Sequence, residues 1–258
     1  MENSSLGKKL TLLICGLLMI VASIFCYFMN YYSLTIYVLD ILGLGMILLS
    51  SFDFKYSQHK FTVKEIALIG VQGALASLLY IFVKFPLPIF PSFLDLQVSE
   101  IPALITSFMY GPYAGAMVIL IRFIIKLPFS GTAGVGEIAD LIIGLVVVII
   151  SGIIYRKKHT FKGAMVGMST SMVAGTALAC LANWLILIPF YLQLYFNGSM
   201  APLVGMCKMI PGINETNFMP LYIFVGVLPF NLLRFIIVFV LTILLYKRIS
   251  FLFKKITK

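Results

Sequence analysis

The amino-acid sequence predicts an all-α integral membrane protein, built from a six-helix bundle that follows a two-helix N-terminal transmembrane extension. Composition is the first observation: of the 258 residues, 61% are hydrophobic and only 11% are charged, outside the range of soluble domains. Length is the second, since a helix needs about 20 apolar residues to cross a bilayer. Apolar runs recur at about residues 9–29, 31–51, 65–83, 101–126, 137–155, 164–190 and 221–246.

The first two runs form the predicted extension, residues 1–60, which has the pattern of a helical hairpin. The segment SFDFKYSQHKFTVKE, residues 51–65, is polar and basic and separates the extension from the body, residues 61–258. The first run also resembles a secretory signal in length. No small-residue cleavage pattern follows it, which favours an uncleaved helix.

The run at residues 101–126 is predicted to hold two helices. GPYAG, at residues 111–115, places a turn signal in its middle and leaves two short halves. Helices of that length must be tilted, or the first must be partly re-entrant, to fit the bilayer. This break brings the body to six helices and the whole chain to about eight.

The positions of the basic residues predict the topology. The net charge is +10, but the basic residues follow the apolar runs, which argues against a nucleic-acid partner and for a membrane one. With both termini in the cytoplasm, fourteen of the nineteen Lys and Arg residues fall on the cytoplasmic side. These fourteen are Lys8, Lys9, Lys55, Lys60, Lys64, Arg156, Lys157, Lys158, Lys162, Lys247, Arg248, Lys254, Lys255 and Lys258.

Three connections then lie outside. KFPLPIFPSFLDLQ, residues 84–97, is rich in proline, which favours an extended loop over an external opening. LPFSGTAGVGE, residues 127–137, is rich in glycine, and residues 197–220 form a long loop. Such loops form a lid over a helical bundle or serve as plain connections, and composition leaves both open.

Polar residues inside the last apolar run are the first sign of a site. Asn231 and Arg234 are three residues apart and share one helix face. Pro229 is predicted to begin that helix, which places both residues in its first two turns. Asn183, followed by Trp184, has a comparable outer position on the preceding helix.

Other charged residues are predicted at the same depth. Glu137 and Asp140 open one helix, and Arg122 lies near the end of another. One interpretation is structural, with Arg122 or Arg234 paired to Asp140 or Glu137. The other is an outward-facing pocket for a small polar, aromatic molecule, in which asparagine amides bind an edge and Trp184 or nearby Phe residues pack on the ring.

The first helix of the body carries a stripe of small residues. In KEIALIGVQGALASLLY the stripe is formed by Ala67, Gly70, Gly73, Ala74 and Ser77. Small residues let another helix approach closely. The partner is either a helix of the same chain or a separate membrane subunit.

The chain lacks several signatures of catalysis. It contains no GxxxxGK followed by Ser or Thr, no HExxH and no GxSxG, so neither ATP hydrolysis nor an intramembrane hydrolase is predicted. His59 and His159 fall in cytoplasmic loops, and the four cysteines have no CxxC spacing. We therefore predict no catalytic residue, no metal site and no cofactor.

Four stretches, in this order, carry a resemblance to a known family. They are KFPLPIFPSFLDLQVSEIPALITSFMYGPYAG, GTAGVGEIADLIIG, LANWLILIPFY, and GVLPFNLLRF followed by LLYKR. Over most of residues 61–256 the chain resembles the S components of energy-coupling factor (ECF) vitamin transporters, and among these the riboflavin-specific S components. Residues 1–60 lie outside the resemblance.

The resemblance implies a six-helix protein of a bacterial cell membrane that captures a vitamin at its outer face and performs no chemistry. Such a protein docks through small residues of its first helix onto a transmembrane coupling subunit, which two cytoplasmic ATPases drive. Here those docking residues are Ala67, Gly70, Ala74 and Ser77.

The resemblance also implies riboflavin contacts at Asp95, Asn183, Asn231 and Arg234. Arg234 stands where the family usually has lysine, and Asp140, a further predicted contact, stands where asparagine is common. The predicted function is therefore riboflavin capture for ATP-driven uptake. The alternatives are another vitamin or flavin such as flavin mononucleotide (FMN), a membrane scaffold whose buried charges only join helices, and a membrane enzyme.

Overall fold

A computed structural model of the chain describes residues 15, 16, 18, 19 and 61–257, with side chains described as far as Tyr246. The chain divides into two compact units, Met1–Lys60 and Phe61–Lys258. The predicted hairpin of the first unit lies outside the described residues, apart from four helical positions. The second unit holds the fold that positions the candidate site.

The described part of the second unit is helical, with one small β-hairpin. Two π-helical turns, π1 (Asn183–Leu187) and π2 (Tyr222–Val227), join consecutive helices without a break. In chain order the elements are α1 (Val63–Phe82), β1 (Lys84–Pro86), β2 (Asp95–Gln97), α2 (Glu100–Tyr110), α3 (Pro112–Lys126), α4 (Val135–Lys157), α5 (Phe161–Ala182), α6 (Ile188–Phe196), α7 (Ala201–Met206), α8 (Phe218–Leu221) and α9 (Leu228–Thr257).

Five stretches of the described chain are long and apolar enough to cross a membrane. They are Val63–Phe82, Pro112–Phe129, Val135–Lys157, Phe161–Phe196 and Phe218–Tyr246. Helix α2 has only 11 residues, which at 1.5 Å per residue is about half of a bilayer's hydrocarbon thickness. The all-α membrane fold predicted from the sequence is confirmed.

The break between α2 and α3 lies at Gly111, inside the predicted GPYAG turn. Gly111 has a φ of 98°, a backbone conformation that glycine adopts without a steric penalty. Pro112 follows as the first residue of α3, where its missing N–H is not needed. The run at residues 101–126 therefore holds two helices, as predicted.

Helix α2 lies at the centre of the core. Its residues from Glu100 to Phe108 are all buried. Helices α3, α4 and α9 pack around it through apolar side chains such as Ile119, Val147 and Phe235. A short helix buried on all sides can carry a charged side chain into the bundle, provided that a partner of opposite charge is present.

The last long helix corrects one prediction. It is continuous from Phe218, so Pro229 does not begin it. In π2 the N–H of Leu228 donates to the carbonyl of Ile223, five residues back. The wider turn changes the hydrogen-bond pairing just before Pro229, which is why a residue without an N–H is accommodated inside the helix.

The connections predicted to be external contain more structure than loops alone. Residues 84–97 form an antiparallel hairpin in which Lys84 pairs with Gln97 and Pro86 with Asp95. Residues 197–220 include α7 and pack Leu203, Cys207 and Ile210 against α8 and π2. Apolar burial therefore holds this segment in place.

The small-residue stripe of α1 divides between two faces. Ala67, Gly70 and Ala74 are exposed. Gly73 and Ser77 face inward: a Cβ added to Gly73 would lie 2.6 Å from the side chain of Ile121, and Ser77 is buried. Ser77 was predicted to lie on the docking face, and this prediction is wrong because its side chain packs inside the protein's own fold.

Candidate functional site

A cavity of about 390 Å³ lies at one end of the second unit, which we call the cavity end. This volume is within the range of small-molecule sites, about 300–1,000 Å³. The wall combines aromatic, amide and charged side chains. These are Tyr80, Phe93, Tyr191 and Phe230; Gln97, Asn183 and Asn231; and Lys84, Asp95, Lys126, Glu137, Asp140 and Arg234.

All five residues predicted to contact a ligand line this cavity: Asp95, Asp140, Asn183, Asn231 and Arg234. They come from β2, α4, π1 and α9, which the fold brings together from distant parts of the sequence. Trp184 was expected to pack on a ligand ring, but its side chain is exposed and is not among the lining residues described. Phe93 and Phe230 supply aromatic surface instead.

Four buried charged residues form what we call the charge cluster: Asp140 and Arg234 in the cavity wall, and Glu100 and Arg122 behind it. Arg122 donates from Nη2 to Asp140 Oδ2 over 2.6 Å. Arg234 donates from Nη2 to Asp140 Oδ1 over 2.9 Å and also to Glu100 Oε1. Glu100 Oε1 lies 3.5 Å from Arg122 Nη1. Two cations and two anions therefore hold α2, α3, α4 and α9 together.

Asp140 pairs with both arginines, which confirms the pairing that the structural interpretation expected. Two neighbouring polar side chains also hydrogen-bond to this Asp140–arginine pair. Gln97 donates to Asp140 Oδ1 over 3.1 Å, and Ser99 accepts from Arg122 over 2.6 Å. The guanidinium of Arg122 also lies 4.9 Å from the centre of the Tyr80 ring, a cation–π contact.

Glu137 does not pair with either arginine. It accepts hydrogen bonds of 2.6 Å from the hydroxyls of Ser130 and Thr132, and Lys126 Nζ lies 3.4 Å away. Ser130 in turn accepts from the backbone N–H of Gly134 over 2.8 Å. Glu137 thus stabilises the glycine-rich connection between α3 and α4 at the edge of the cavity.

The two asparagines use part of their hydrogen-bonding capacity on the protein. Asn183 donates to the carbonyl of Ala179 over 2.9 Å and accepts from the hydroxyl of Tyr222 over 2.8 Å. Asn231 donates to the carbonyl of Val227 over 2.9 Å. An amide carries two N–H donors and one carbonyl acceptor, so each side chain keeps groups for a molecule in the cavity.

Arg234 lines the cavity and also belongs to the charge cluster. Its Nη2 contacts both carboxylates, while its Nε is buried and has no hydrogen-bond partner in the part of the chain that the structure describes. Within the described residues, Nη1 makes no hydrogen bond. The side chain of Arg234 forms part of the cavity wall. The carboxylates therefore fix the guanidinium and leave one terminal nitrogen for a ligand.

Sequence reasoning missed Glu100, Gln97 and Ser99. Glu100 is fully buried at the start of α2, between both arginines. The signal was an acidic residue at the edge of the apolar run VSEIPALI. An acid at that place is ordinary at a helix N-terminus, so only the three-dimensional contacts reveal its role.

Residues 64–246 match the family model of the ECF transporter, substrate-specific component. This chain is an S component of that family. The match covers most of the chain and contains the cavity, the charge cluster and all of α1 except Val63.

Similar proteins agree with this assignment. The S component is 29% identical over 193 residues to the riboflavin transporter RibU of Staphylococcus aureus (strain TCH60), covering 75% of this chain and 94% of that protein. It is 25% identical over 191 residues to the riboflavin transporter FmnP of Bacillus subtilis (strain 168), covering 73% and 93%. Its fold is similar to the solved structure of the S component of a bacterial ECF transporter, with a TM-score of 0.55 and 28% identity, covering 74% of this chain and 98% of that one.

The charged side chains in the wall of the S component's cavity are paired with one another. Within the described residues, no group of three or more His, Cys, Asp and Glu side chains is placed to hold a metal ion. The six charged lining residues form three cation–anion pairs: Lys84 with Asp95 at 3.2 Å, Lys126 with Glu137 at 3.4 Å, and Arg234 with Asp140 at 2.9 Å. Such a wall offers hydrogen bonds and aromatic surface without an excess of either charge.

Proposed function

We propose that this S component captures riboflavin from outside the cell and delivers it for ATP-driven uptake. Its family membership and the riboflavin transporters among its relatives support this function. In the proposal the cavity end faces outward and both termini are cytoplasmic, as the distribution of basic residues predicts. A transmembrane coupling subunit and two cytoplasmic ATPases supply the energy.

The observation that carries the proposal is the convergence of the five predicted contacts on one cavity. Two of them lie at or just after π-helical turns: Asn183 is the first residue of π1, and Asn231 follows the end of π2 by one helical turn. Turns of this kind are frequent at functional sites. The structure thus brings amides from two helices to one wall, where both keep hydrogen-bonding capacity.

Riboflavin fits the chemistry of this wall. It has a flat apolar ring system, a uracil-like edge with alternating donors and acceptors, and an uncharged hydroxylated tail. Tyr80, Phe93, Tyr191 and Phe230 provide aromatic surface for the ring. Amide groups satisfy an edge of donors and acceptors in both directions. We assign ligand contact to Asp95, Asp140, Asn183, Asn231 and Arg234.

Purified protein titrated with riboflavin tests the assignment, with quenching of flavin fluorescence as the signal. We expect saturable binding of one flavin per chain and a yellow preparation after mild extraction. Replacing Asn231 with Ala should weaken binding by about tenfold or more, since it removes hydrogen-bonding groups from the wall. Gln193→Ala is the control, because Gln193 is exposed on α6 and does not belong to the cavity lining described above.

Two results would argue against the proposal at different levels. A colourless protein that also fails to bind added riboflavin contradicts the function itself. Unchanged affinity in the Asn231→Ala protein, with the control also unchanged, contradicts the placement of riboflavin in this cavity.

The exposed part of the α1 stripe is the proposed docking face for the coupling subunit. Ala67, Gly70 and Ala74 are exposed, and a Cβ added to Gly70 meets no atom of the described residues within 4 Å. Small residues on an exposed helix face permit close approach of another helix.

Replacing Gly70 and Ala74 with Phe should therefore block uptake in cells and spare riboflavin binding by the purified protein. Ala177→Phe, on an exposed position of α5, is the matched control. Equal loss of uptake and binding would instead indicate internal packing.

A further inference from the structure

We propose that Glu100 is a specificity-determining residue, which balances the charge next to the cavity and so makes the site select an uncharged flavin over its phosphorylated anion. The inference rests on the proposed function and adds a residue that does not touch the cavity. Its basis is the pairing of charges in and beneath the wall, together with the burial of Glu100.

Every cation that lines the described cavity already contacts an anion of the same wall. Lys84, Lys126 and Arg234 hold Asp95, Glu137 and Asp140 respectively. Behind the wall, Arg122 contributes one more cation and Glu100 one more anion, and each contacts members of the charge cluster. A phosphate that enters this cavity therefore finds no unpaired cation, and the negative charges of the wall oppose it.

Glu100 completes this balance from a position beneath the wall. Its side chain is fully buried, and it is not among the residues that line the cavity. Its Oε1 contacts Arg234 Nη2 and lies 3.5 Å from Arg122 Nη1. Without Glu100, two guanidinium groups would share the single carboxylate of Asp140, and the cluster would carry a net positive charge next to the ligand.

Removing the charge of Glu100 should strengthen the binding of a phosphorylated flavin relative to an uncharged one. Replacing Glu100 with Gln keeps the size of the side chain and removes one negative charge. A phosphate monoester carries about −1.5 to −2 charges near neutral pH, so its interaction with the site becomes more favourable, whereas an uncharged flavin gains no such term. At about 10 Å and an effective dielectric constant of about 20, removing one unit of charge alters the binding constant of a singly charged group by about 15-fold, and that of a phosphate monoester by about 60-fold or more.

The experiment compares riboflavin with FMN, the phosphorylated form of the same flavin. Dissociation constants of both are measured for the unaltered protein and for Glu100→Gln, by fluorescence quenching or calorimetry. We expect the unaltered protein to prefer riboflavin, and the ratio of the FMN constant to the riboflavin constant to fall by about tenfold or more in Glu100→Gln, since salt screens part of the interaction. A residue that only stabilises the fold would change both constants by the same factor and leave the ratio in place.

Two control variants separate charge from structure. In Glu100→Gln combined with Arg122→Gln, the cluster loses one charge of each sign, so the ratio should return towards that of the unaltered protein. Glu215→Gln removes an acid from an exposed loop position, where solvent screens it, so its ratio should not change. Steric exclusion of the phosphate by a small cavity predicts no change of ratio in any of these variants.

Where Glu100→Gln is not recovered as folded protein, Asp140→Asn removes the same charge from the same cluster and should shift the ratio in the same direction. Equal affinity of the unaltered protein for the two flavins overturns the proposal, as does an unchanged ratio in whichever of the two variants is recovered. If the unaltered protein binds neither flavin, the proposed function fails, and the specificity role fails with it. If it binds riboflavin and the ratio does not move, only the role of Glu100 fails.

Discussion

The same three helices make opposite kinds of contact at the two ends of the bundle. At the cavity end, α2, α4 and α9 contribute Glu100, Asp140 and Arg234 to the charge cluster. At the other end, which we call the aromatic end, they contribute Phe108, Tyr155 and Tyr246. The ring centres of Phe108 and Tyr155 lie 4.8 Å apart, and the two tyrosine hydroxyls are 3.2 Å apart.

The difference shows how one bundle combines a polar site with a closed core. Charged side chains need partners and fixed geometry, so they hold the helices together while leaving hydrogen-bonding groups for a ligand. Aromatic rings fill the space between helices at the aromatic end, in pairs that are tilted or packed edge to face. If this division holds, substitutions at the cavity end change both stability and flavin affinity, whereas those at the aromatic end change stability alone.

The largest effect is expected for Arg122→Ala. It leaves Glu100 and Asp140 with Arg234 as the only cation of the cluster, in a buried setting where removing one partner costs about 3–5 kcal/mol. Thermal unfolding in detergent measures the change. Lys157→Ala, at an exposed position of α4, is the control and should leave the melting temperature nearly unchanged. A loss no larger than that of the control would show that the charge cluster does not stabilise the cavity end.

Phe108→Leu is the next largest and tests the aromatic end. It removes the contacts of the Phe108 ring with Tyr155 and Tyr246, each worth about 0.5–1.5 kcal/mol, and replaces them with aliphatic packing. We expect a lower melting temperature and an unchanged dissociation constant for riboflavin. A parallel loss of affinity would mean that the two ends do not act separately.

A matched pair of substitutions makes the same chemical change at both ends. Tyr222→Phe removes the hydroxyl that donates to Asn183, and Tyr155→Phe removes the hydroxyl that contacts Tyr246. Each should lower stability by about 0.5–1.5 kcal/mol. Only Tyr222→Phe should also weaken riboflavin binding, by a factor of about 3 to 10, because it releases an amide of the cavity wall. Titration and thermal unfolding of both proteins, side by side, provide the comparison.

The smallest expected effect concerns Cys207, in the packed segment at residues 197–220. Burial raises the pKa of its thiol to about 11, so the thiol stays protonated and almost unreactive at pH 8. The fraction present as thiolate should rise only as the pH approaches that value. Peptide mapping after brief treatment with a thiol reagent measures the reaction. Rapid modification at pH 8 would show that this segment opens, which the burial of Cys207 argues against.

Much of this organisation follows from the sequence. Asn183, Asn231 and Arg234 stand out because polar side chains inside long apolar runs need a partner or a ligand. The break at Gly111 is equally readable, because glycine followed by proline ends one helix and starts another. In each case local chemistry predicts the position.

The remaining features depend on contacts between distant segments. Glu100 lies at a helix start, where an acid is common, and only the packing of α2 between α3, α4 and α9 places it among guanidinium groups. Ser77 shares a stripe with exposed residues, yet its side chain turns towards the interior. Pro229 has the local pattern of a helix start, but the preceding residues are already helical. A pattern in one segment cannot show what the neighbouring segments provide.

The π2 turn ties the positions of Asn231 and Arg234 to chain length. A π turn contains more residues than the α turn it replaces, and each residue of an α-helix rotates the chain by about 100°. Deleting one residue within Tyr222–Val227 would therefore restore regular winding and turn the Tyr222 side of the helix about a quarter of a circle relative to the cavity wall. Insertions and deletions are well tolerated in most loops, but at this turn the number of residues is itself part of the binding geometry.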